Sequence, residues 1–269
     1  MQKVLYVCSE MVPYTPEGDI SNICRYLPQG TQERKKEIRS FMPRYGCINE
    51  RKNQLHEVIR LSGMNLIISE LDRQLVIKVA SIAEAHTQVY FIDNEDYFKR
   101  KGIYADADGK FYEDNEERAI FFARGVLETV KKLRWAPDVI HCHGWISQLL
   151  PLYLKKAYKD DPIFAGSKIV VSLYGDTPVQ KFSPEFASKI MFGGITEKDV
   201  DLLKASPDGI NLAKTAARFA DGVILCSDQI PTQLVSYCRD RGLQVLKSKP
   251  KSIEDGSYID EYNAFYDKL

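Results

Sequence analysis

The chain has 269 residues, of which 44% are hydrophobic and 28% are charged, and Lys+Arg and Asp+Glu both total 37. This is the composition of an ordinary soluble globular protein, and the balanced charge excludes a global field that attracts nucleic acid or anionic membrane. No apolar run approaches the ~20 residues of a membrane span. The six cysteines are scattered without paired spacing. We therefore expect a reduced, cytoplasmic protein with neither a nucleic-acid nor a membrane partner.

Short β-branched or aromatic runs alternate with helical patterns along the chain. The predicted strands are residues 3–9, 39–42, 87–92, 138–143, 168–173 and 222–226. The predicted helices are residues 20–27, 115–133, 146–159, 210–220 and 229–241. Because most of the strands are almost continuously apolar, both of their faces need cover. The order therefore predicts an α/β fold of the Rossmann-like kind, with a mainly parallel sheet and helices on both faces.

Two segments fall outside this alternation. Residues 55–82 contain two runs of alternating polarity, which predict an antiparallel excursion from the main sheet. Residues 247–252 form a Lys/Pro/Ser linker, and residues 258–269 are predicted to form a last helix that packs back on its own domain or on a second copy. The aromatic stripe of that helix consists of Tyr258, Tyr262, Phe265 and Tyr266.

The ends of the first and fourth predicted strands are where a ligand is expected, because open parallel sheets bind ligands beyond the carboxyl ends of their strands. Residues 9–20 form a turn into a helix, which can present N–H groups to an anion but serves equally as a plain connection. His141 and His143 point the same way with no third ligand nearby, so we expect no metal and no cofactor. The favoured interpretation is sugar recognition, with a histidine donating to hydroxyls and Trp145 stacking on the ring. A hydrogen-bonded core histidine is the alternative for His141.

Five motifs in order resemble the glycogen and starch synthase family, and their spacing agrees from residue 3 to about residue 235. The motifs, each with the family pattern that it resembles, are KVLYVCSE at 3–10 (K-V-L-F-V-x-S-E), MPRY at 42–45 (L-P-R-Y), residues 98–118 (F-x-R-x-G-I-Y, then Y-x-D-N-x-x-R-F), HCHGW at 141–145 (H-A-H-D-W), and residues 211–221 (N-x-x-K, then A-D).

The resemblance implies one half of a two-domain glycosyltransferase. Members of that family move glucose from a nucleotide sugar to the nonreducing end of an α-1,4-glucan, in a cleft between two Rossmann-like domains. Residues 1–246 correspond to the N-terminal domain, which carries the acceptor side and some contacts to the glucose. Residues 247–269 are the linker and the aromatic helix. Since the sequence stops at Leu269, we expect no second, nucleotide-binding domain.

The resemblance also implies site residues, carried over by matching motif positions. Asp114 and His143 match a sugar contact and a histidine that serves the transferred glucose, and are the expected catalytic remnants. The expected substrate-binding residues are Gly18, Asn115, Arg118, Trp145, Tyr174 and Asn211.

Several positions depart from the family pattern. In the K-T-G-G-L loop the lysine is replaced by Pro16 and the second glycine by Asp19. A lysine beside a diphosphate makes a charge-assisted contact, whereas an aspartate repels the diphosphate. The aspartate and second histidine of H-D-W-H are Gly144 and Ile146, and the last two residues of the family's T-I-H-N turn are Tyr174 and Gly175.

The leading hypothesis is a glycogen/starch synthase-like homologue that is not active alone, a pseudoenzyme of carbohydrate metabolism that binds an α-glucan or maltooligosaccharide or acts through a partner. Nucleotide sugar is expected to bind weakly or not at all. The alternative is one half of a split, ADP-glucose-dependent glycogen synthase, with the other domain on a separate chain. A homodimer is a further possibility for the partner. A trimmed piece of a complete enzyme is disfavoured by the residues at Pro16 and Asp19.

Overall fold

Ten strands lie within residues 1–248 and 255–269, the part of the chain that this computed structural model describes. They are β1 (Lys3–Cys8), β2 (Glu37–Pro43), β3 (His56–Glu57), β4 (Met64–Ile68), β5 (Leu71–Ile82), β6 (Thr87–Asp93), β7 (Val139–His143), β8 (Lys168–Leu173), β9 (Gly222–Leu225) and β10 (Gln244–Lys247).

The helices of the same residues connect and cover these strands. They are α1 (Asp19–Glu33), α2 (Glu95–Phe98), α3 (Asn115–Leu133), α4 (Leu150–Lys156), α5 (Phe186–Ile190), α6 (Asp201–Ala205), α7 (Gly209–Phe219), α8 (Thr232–Asp240) and α9 (Tyr258–Tyr266).

The sheet order is β10-β9-β8-β7-β1-β2-β6-β5-β3, with β4 paired to β5 outside this path. All neighbours from β10 to β6 are parallel. The pairs β5–β6, β4–β5 and β3–β5 are antiparallel. The predicted α/β fold with a mainly parallel sheet is confirmed, and so is the antiparallel excursion over residues 55–82.

Helices cover both faces because the chain winds in two directions from β1. The connection from β1 through α1 leads to β2 on one side, whereas the connections through α4 and α7 lead from β7 to β8 and β9 on the other. Since parallel crossovers are right-handed, α1 lies on the opposite face from α4 and α7. The central strands are consequently sealed, and residues 4–8 of β1 are completely buried.

Local differences from the predicted elements have physical causes. Helix α1 was predicted to end at residue 27, but it continues to Glu33 with Pro28 inside it. A proline removes one helical hydrogen bond, and the buried apolar face of α1, which includes Ile23 and Leu27, outweighs that cost. The predicted helix over residues 146–159 is a short 3₁₀ turn followed by α4, with Pro151 in the first turn of α4. Strand β10 and the short helices α2, α5 and α6 were not predicted.

The terminal helix α9 packs beside α1 on the sheet. Tyr258, Tyr262, Phe265 and Tyr266 are all buried. Two glycines permit the close approach: a Cβ on Gly30 would lie 2.7 Å from the Ile259 side chain, and a Cβ on Gly222 would lie 2.8 Å from the ring of Phe265. Most of the predicted linker, residues 249–252, lies outside the described residues.

No helix in the described parts of the chain combines the length and the apolarity that crossing a membrane requires.

Candidate functional site

The carboxyl ends of β1, β7 and β8 bring three short segments together at one edge of the sheet. They are residues 9–10 after β1, residues 143–145 at the end of β7, and residues 174–176 after β8. The Ser9 amide donates to the carbonyl of His143 at 2.9 Å, which ties the first two segments together. The Trp145 amide donates to Oδ2 of Asp176 at 2.7 Å, which ties the second to the third.

The side chain of His143 is fully buried and held by Tyr174. Its Nδ1 lies 2.7 Å from the Tyr174 hydroxyl. Its Nε2 has no hydrogen-bond partner among the described residues. Burial lowers the pKa of His143 to about 3. The ring is therefore neutral at physiological pH, and either ring nitrogen can carry the proton.

His141 is a hydrogen-bonded core histidine. Its Nδ1 lies 2.7 Å from the hydroxyl of Tyr266 on α9, and its Nε2 lies 2.8 Å from Oγ of Ser172. Burial first, and then the neighbouring His143, lower the pKa of His141 well below its ordinary value. Because both ring nitrogens are engaged inside the protein, His141 has no free nitrogen for a ligand.

Trp145 contributes its backbone amide rather than an open ring face. The indole is 2% exposed and lies 5.0 Å from the Tyr104 ring, 6.0 Å from Phe111 and 5.8 Å from Phe182, measured between centroids. A sugar therefore has no open indole face on which to stack in this structure.

Gly144 occupies a position where no side chain fits. Its φ is +80°, which favours glycine, and an added Cβ would lie 1.9 Å from Oγ of Ser9. The same Cβ position lies 3.5 Å from Oδ2 of Asp176. The carboxylate beside the Trp145 amide is therefore that of Asp176, in the turn that follows the neighbouring strand β8.

Two half-buried carboxylates, those of Glu10 and Asp176, lie at this edge of the sheet. The Tyr104 hydroxyl donates to Oε1 of Glu10 at 3.2 Å. Burial raises the pKa of Asp176 to about 6. Burial, and then the charge of Asp176, also raise the pKa of Glu10. The carboxyl edge of the sheet is therefore acidic, and both acids hold their protons more tightly than usual.

Asp114, Asn115 and Arg118 hold the start of α3. Nη1 of Arg100 donates to Oδ1 of Asp114 at 2.8 Å, and Nη2 of Arg100 donates to Oδ2. Asn115 and Arg118 are fully buried. The Asn115 amide donates to the carbonyl of Tyr104 at 2.8 Å, so this cluster fixes the segment that brings the Tyr104 hydroxyl to the acidic edge.

The remaining predicted residues lie at the ends of two helices. Gly18 precedes α1 in an exposed loop. Its backbone is extended, with a φ of −178°, and an added Cβ would lie 3.8 Å from the nearest atom. Asn211 lies in the first turn of α7, and its side-chain amide donates to the carbonyls of Leu202 and Ser206, both at 3.0 Å. Asn211 thus joins α7 to α6, and no contact in the described structure joins it to His143.

One protein family matches nearly the whole chain. The family model described as the starch synthase catalytic domain matches residues 3–247. The chain belongs to that family. The resemblance predicted from the motifs is confirmed, and it covers the whole sheet from β1 to β10.

Relatives of this starch synthase catalytic domain are longer proteins. A glycogen synthase of Chlorobaculum parvum is 33% identical over 273 residues, covering 99% of this chain and 55% of the relative. A glycogen synthase of Chlorobium luteolum is 36% identical over 238 residues, covering 85% of this chain and 48% of the relative. The chain therefore spans about half the length of the curated relatives it matches.

A solved structure shares the fold. The catalytic domain of starch synthase IV from Arabidopsis thaliana, bound to ADP and acarbose, superposes with a TM-score of 0.73 at 16% identity. The match covers 91% of this chain and 51% of that one. At this identity the likeness concerns the arrangement of the strands and helices.

The motifs of the starch synthase family did not lead to Asp176. It stands at the end of β8, in a turn where Gly175 also has a φ of +80°. The signal for Glu10 was present, since it closes the S-E motif after β1. For Asp176 the available signal was a glycine followed by an acid directly after an apolar strand, a pattern common in plain turns.

Proposed function

We propose that this chain is a cytoplasmic, glycogen synthase-like domain that does not transfer glucose from a nucleotide sugar by itself, and that it acts by binding an α-glucan or through a partner chain. The observation that carries the proposal is Asp176, which adds a second carboxylate to the family's Glu10 at the carboxyl edge, beside a His143 ring held by Tyr174.

Charge at this edge opposes the use of a sugar diphosphate. Stabilising a diphosphate leaving group requires preorganised cations and N–H donors. Here Asp176 is a half-buried carboxylate beside the family's Glu10, and Asp19 is exposed at the first position of α1, where the family's K-T-G-G-L loop has a glycine. Pro16 replaces the lysine of the same loop. Single donors of this kind are worth ~10²–10³ in rate, so these changes together remove most of the expected acceleration.

A second part of the domain suits a neutral glucan. Next to the start of α3 lies a surface cavity of about 370 Å³, lined by residues that include Arg100, Phe111, Tyr112 and Asp114. Half-buried aromatic rings beside a fixed ion pair offer stacking surface and hydrogen-bonding groups, the combination expected of small-ligand sites. We place the α-glucan or maltooligosaccharide contact here.

Calorimetric titration with maltooligosaccharides tests the glucan contact. Binding is expected to weaken about tenfold, or about 1.4 kcal/mol, in a Tyr112→Ala variant. The matched control is Tyr26→Ala, which removes an exposed aromatic ring on α1, away from this cavity. Equal affinities of both variants and the unchanged chain, or no binding by any of them, would refute the assignment of this cavity.

One half of a split, ADP-glucose-dependent synthase is the second candidate. It is supported by the relatives, which are about twice as long as the part of them that this chain matches. Adding a separately produced nucleotide-binding domain from such a relative distinguishes the candidates. Glucose incorporation into glycogen that requires both chains would establish the split enzyme. A homodimer as the functional unit predicts instead a concentration-dependent dimer in sedimentation experiments.

A further inference from the structure

A basic cavity of about 530 Å³ opens at the amino ends of the neighbouring strands β2 and β6. This is the edge of the sheet opposite to the carboxyl edge. Of the described residues that line the cavity, the acid is Glu37 and the basic side chains are Lys35, Lys36, Arg39 and His86. Because the whole chain has equal numbers of acidic and basic residues, the cavity is a local excess of positive charge.

Arg39 carries a positive charge that no described acid neutralises. Its guanidinium carbon lies 5.1 Å from the centroid of the Trp135 ring and 5.7 Å from that of Tyr90. Nη1 donates to the Tyr90 hydroxyl at 2.6 Å. Nε is buried without a partner among the described residues, and no hydrogen bond to them engages Nη2. The two rings therefore hold the half-buried guanidinium in place, and its charge lacks the partner that such groups usually have.

The other charged residues leave the excess in place. Lys35 is exposed and forms no ion pair within the described parts of the chain. Lys36 pairs with Asp267 at 3.1 Å, but Asp267 is 60% exposed, and exposed pairs of this kind contribute little. Oε1 of Glu37 accepts a hydrogen bond from Nε1 of Trp135 at 2.6 Å. The acid of the cavity is thus engaged by the indole, whereas Nη2 of Arg39 and the Lys35 ammonium remain available.

We propose that this cavity binds a phosphate dianion, either free or as the monoester of a small molecule. A phosphate monoester carries about −1.5 to −2 charges at pH 7 and three strongly accepting oxygens. Those oxygens match the donors of Arg39 and Lys35, and the second negative charge matches the second unpaired cation. The volume lies in the range of ~300–1,000 Å³ that is usual for small-ligand sites. The proposal is independent of the glucan contact near Tyr112 and of the expected lack of glucose transfer.

Other classes of ligand fit this cavity less well. A cation is repelled by the positive excess. A neutral sugar can accept hydrogen bonds but leaves the charge of Arg39 uncompensated. A carboxylate has a single negative charge, which Arg39 alone matches, so Lys35 stays unpaired. A phosphate dianion compensates both cations.

Titrations with four small probes test the ligand class, by calorimetry or by NMR of the arginine N–H groups. The probes are glycerol 3-phosphate, inorganic phosphate, acetate and glycerol. We expect glycerol 3-phosphate or inorganic phosphate to bind about tenfold more tightly than acetate, because charge-assisted hydrogen bonds are the strong ones, and glycerol not to bind. Equal affinity of the two phosphates identifies the free ion as the ligand, and tighter binding of glycerol 3-phosphate identifies a phosphorylated small molecule.

Charge-matched variants locate the binding. Arg39→Gln and Lys35→Gln are each expected to weaken phosphate binding about tenfold. Arg60→Gln and Lys101→Gln are the controls, since they remove the same charge from exposed residues outside the cavity and should leave binding unchanged. Lys35 is itself exposed, so its variant keeps the test valid if Arg39→Gln does not fold. Acetate binding as tight as phosphate binding, no phosphate binding at about 10 mM, or equal losses in the variants and their controls overturns the proposal.

Discussion

The hydroxyl of Tyr174 lies 2.7 Å from Nδ1 of His143, and both side chains are buried. This contact engages Nδ1 of the histidine that the family pattern assigns to sugar recognition. It also leaves Nε2 as the free nitrogen of a neutral histidine, since that atom has no partner among the described residues.

Replacing Tyr174 with phenylalanine is expected to destabilise the protein by about 1–3 kcal/mol, because Nδ1 of a buried histidine then loses its partner. Urea unfolding measures the change. Tyr26→Phe, which removes an exposed hydroxyl, is the control and should leave the unfolding free energy within about 0.5 kcal/mol. A Tyr174 variant as stable as the control would show that the contact does not hold His143.

The family aspartate cannot be restored at Gly144. Gly144→Ala places a Cβ 1.9 Å from Oγ of Ser9 at a φ of +80°, so we expect a loss of more than about 2 kcal/mol from the clash and the backbone strain. Gly18→Ala is the matched control, since its φ is −178° and its nearest Cβ contact is 3.8 Å. Equal melting temperatures of the two variants would contradict the geometry around Gly144.

Asp176 gives stability a distinctive pH dependence. Its pKa is raised from 3.8 to about 6 by burial, so its ionisation destabilises the folded state fully above pH 6 and not at all below 3.8. Asp176→Asn is therefore expected to be more stable at pH 7 by on the order of 1–3 kcal/mol, at 1.36 kcal/mol per pKa unit. The gain should disappear as the pH falls from 6 to 4.

Unfolding experiments at several pH values measure this gain in stability, with the exposed Asp72→Asn variant as the control.

His143 affects stability in the opposite direction over the same pH range. Its folded pKa is lowered from 6.5 to about 3, so the unfolded chain binds more protons and stability is lost as the pH falls below 6.5. Removing the Asp176 contribution should make this acid destabilisation steeper. A gain that is the same at pH 4 and pH 7 would exclude ionisation of Asp176 as its cause.

Truncation after Ser252 removes α9 and its contacts. We expect a melting temperature lower by about 10 °C or more, because aromatic side chains bury ~150–250 Å² each and 1 kcal/mol corresponds to ~2–4 °C at this size. Tyr266→Phe, which removes only the hydroxyl 2.7 Å from Nδ1 of His141, should cost about 1–3 kcal/mol. Unchanged melting and oligomeric state after truncation would mean that α9 adds nothing to the domain.

The architecture was predictable because the parallel strands are buried on both faces. Strand β8 and helix α3 have the predicted bounds, residues 168–173 and 115–133. Apolar runs and caps are local signals, so they can be recognised from consecutive residues of the sequence. Strand β10 was missed because it is a largely exposed edge strand with little apolar pattern. The end of α1 was missed because tertiary burial outweighs the local effect of Pro28.

The site was less predictable because its geometry depends on contacts between strands. The motifs led to His143 and Gly144, but only the fold brings Asp176 of the next strand to the amide of Trp145. Nor could the sequence predict that aromatic rings enclose the indole of Trp145 or that the hydroxyl of Tyr174 contacts His143. The roles carried over for Gly18, Asn115, Arg118 and Asn211 remain predictions, and their structural contacts are known.

Parallel calorimetric titrations of the chain with ADP-glucose and with maltooligosaccharides test the central claim most directly. We predict binding of the maltooligosaccharide, no measurable binding of ADP-glucose, and no radiolabelled glucose incorporated into glycogen by the chain alone. Micromolar binding of ADP-glucose, together with incorporation above the blank that His143→Ala abolishes, would contradict it.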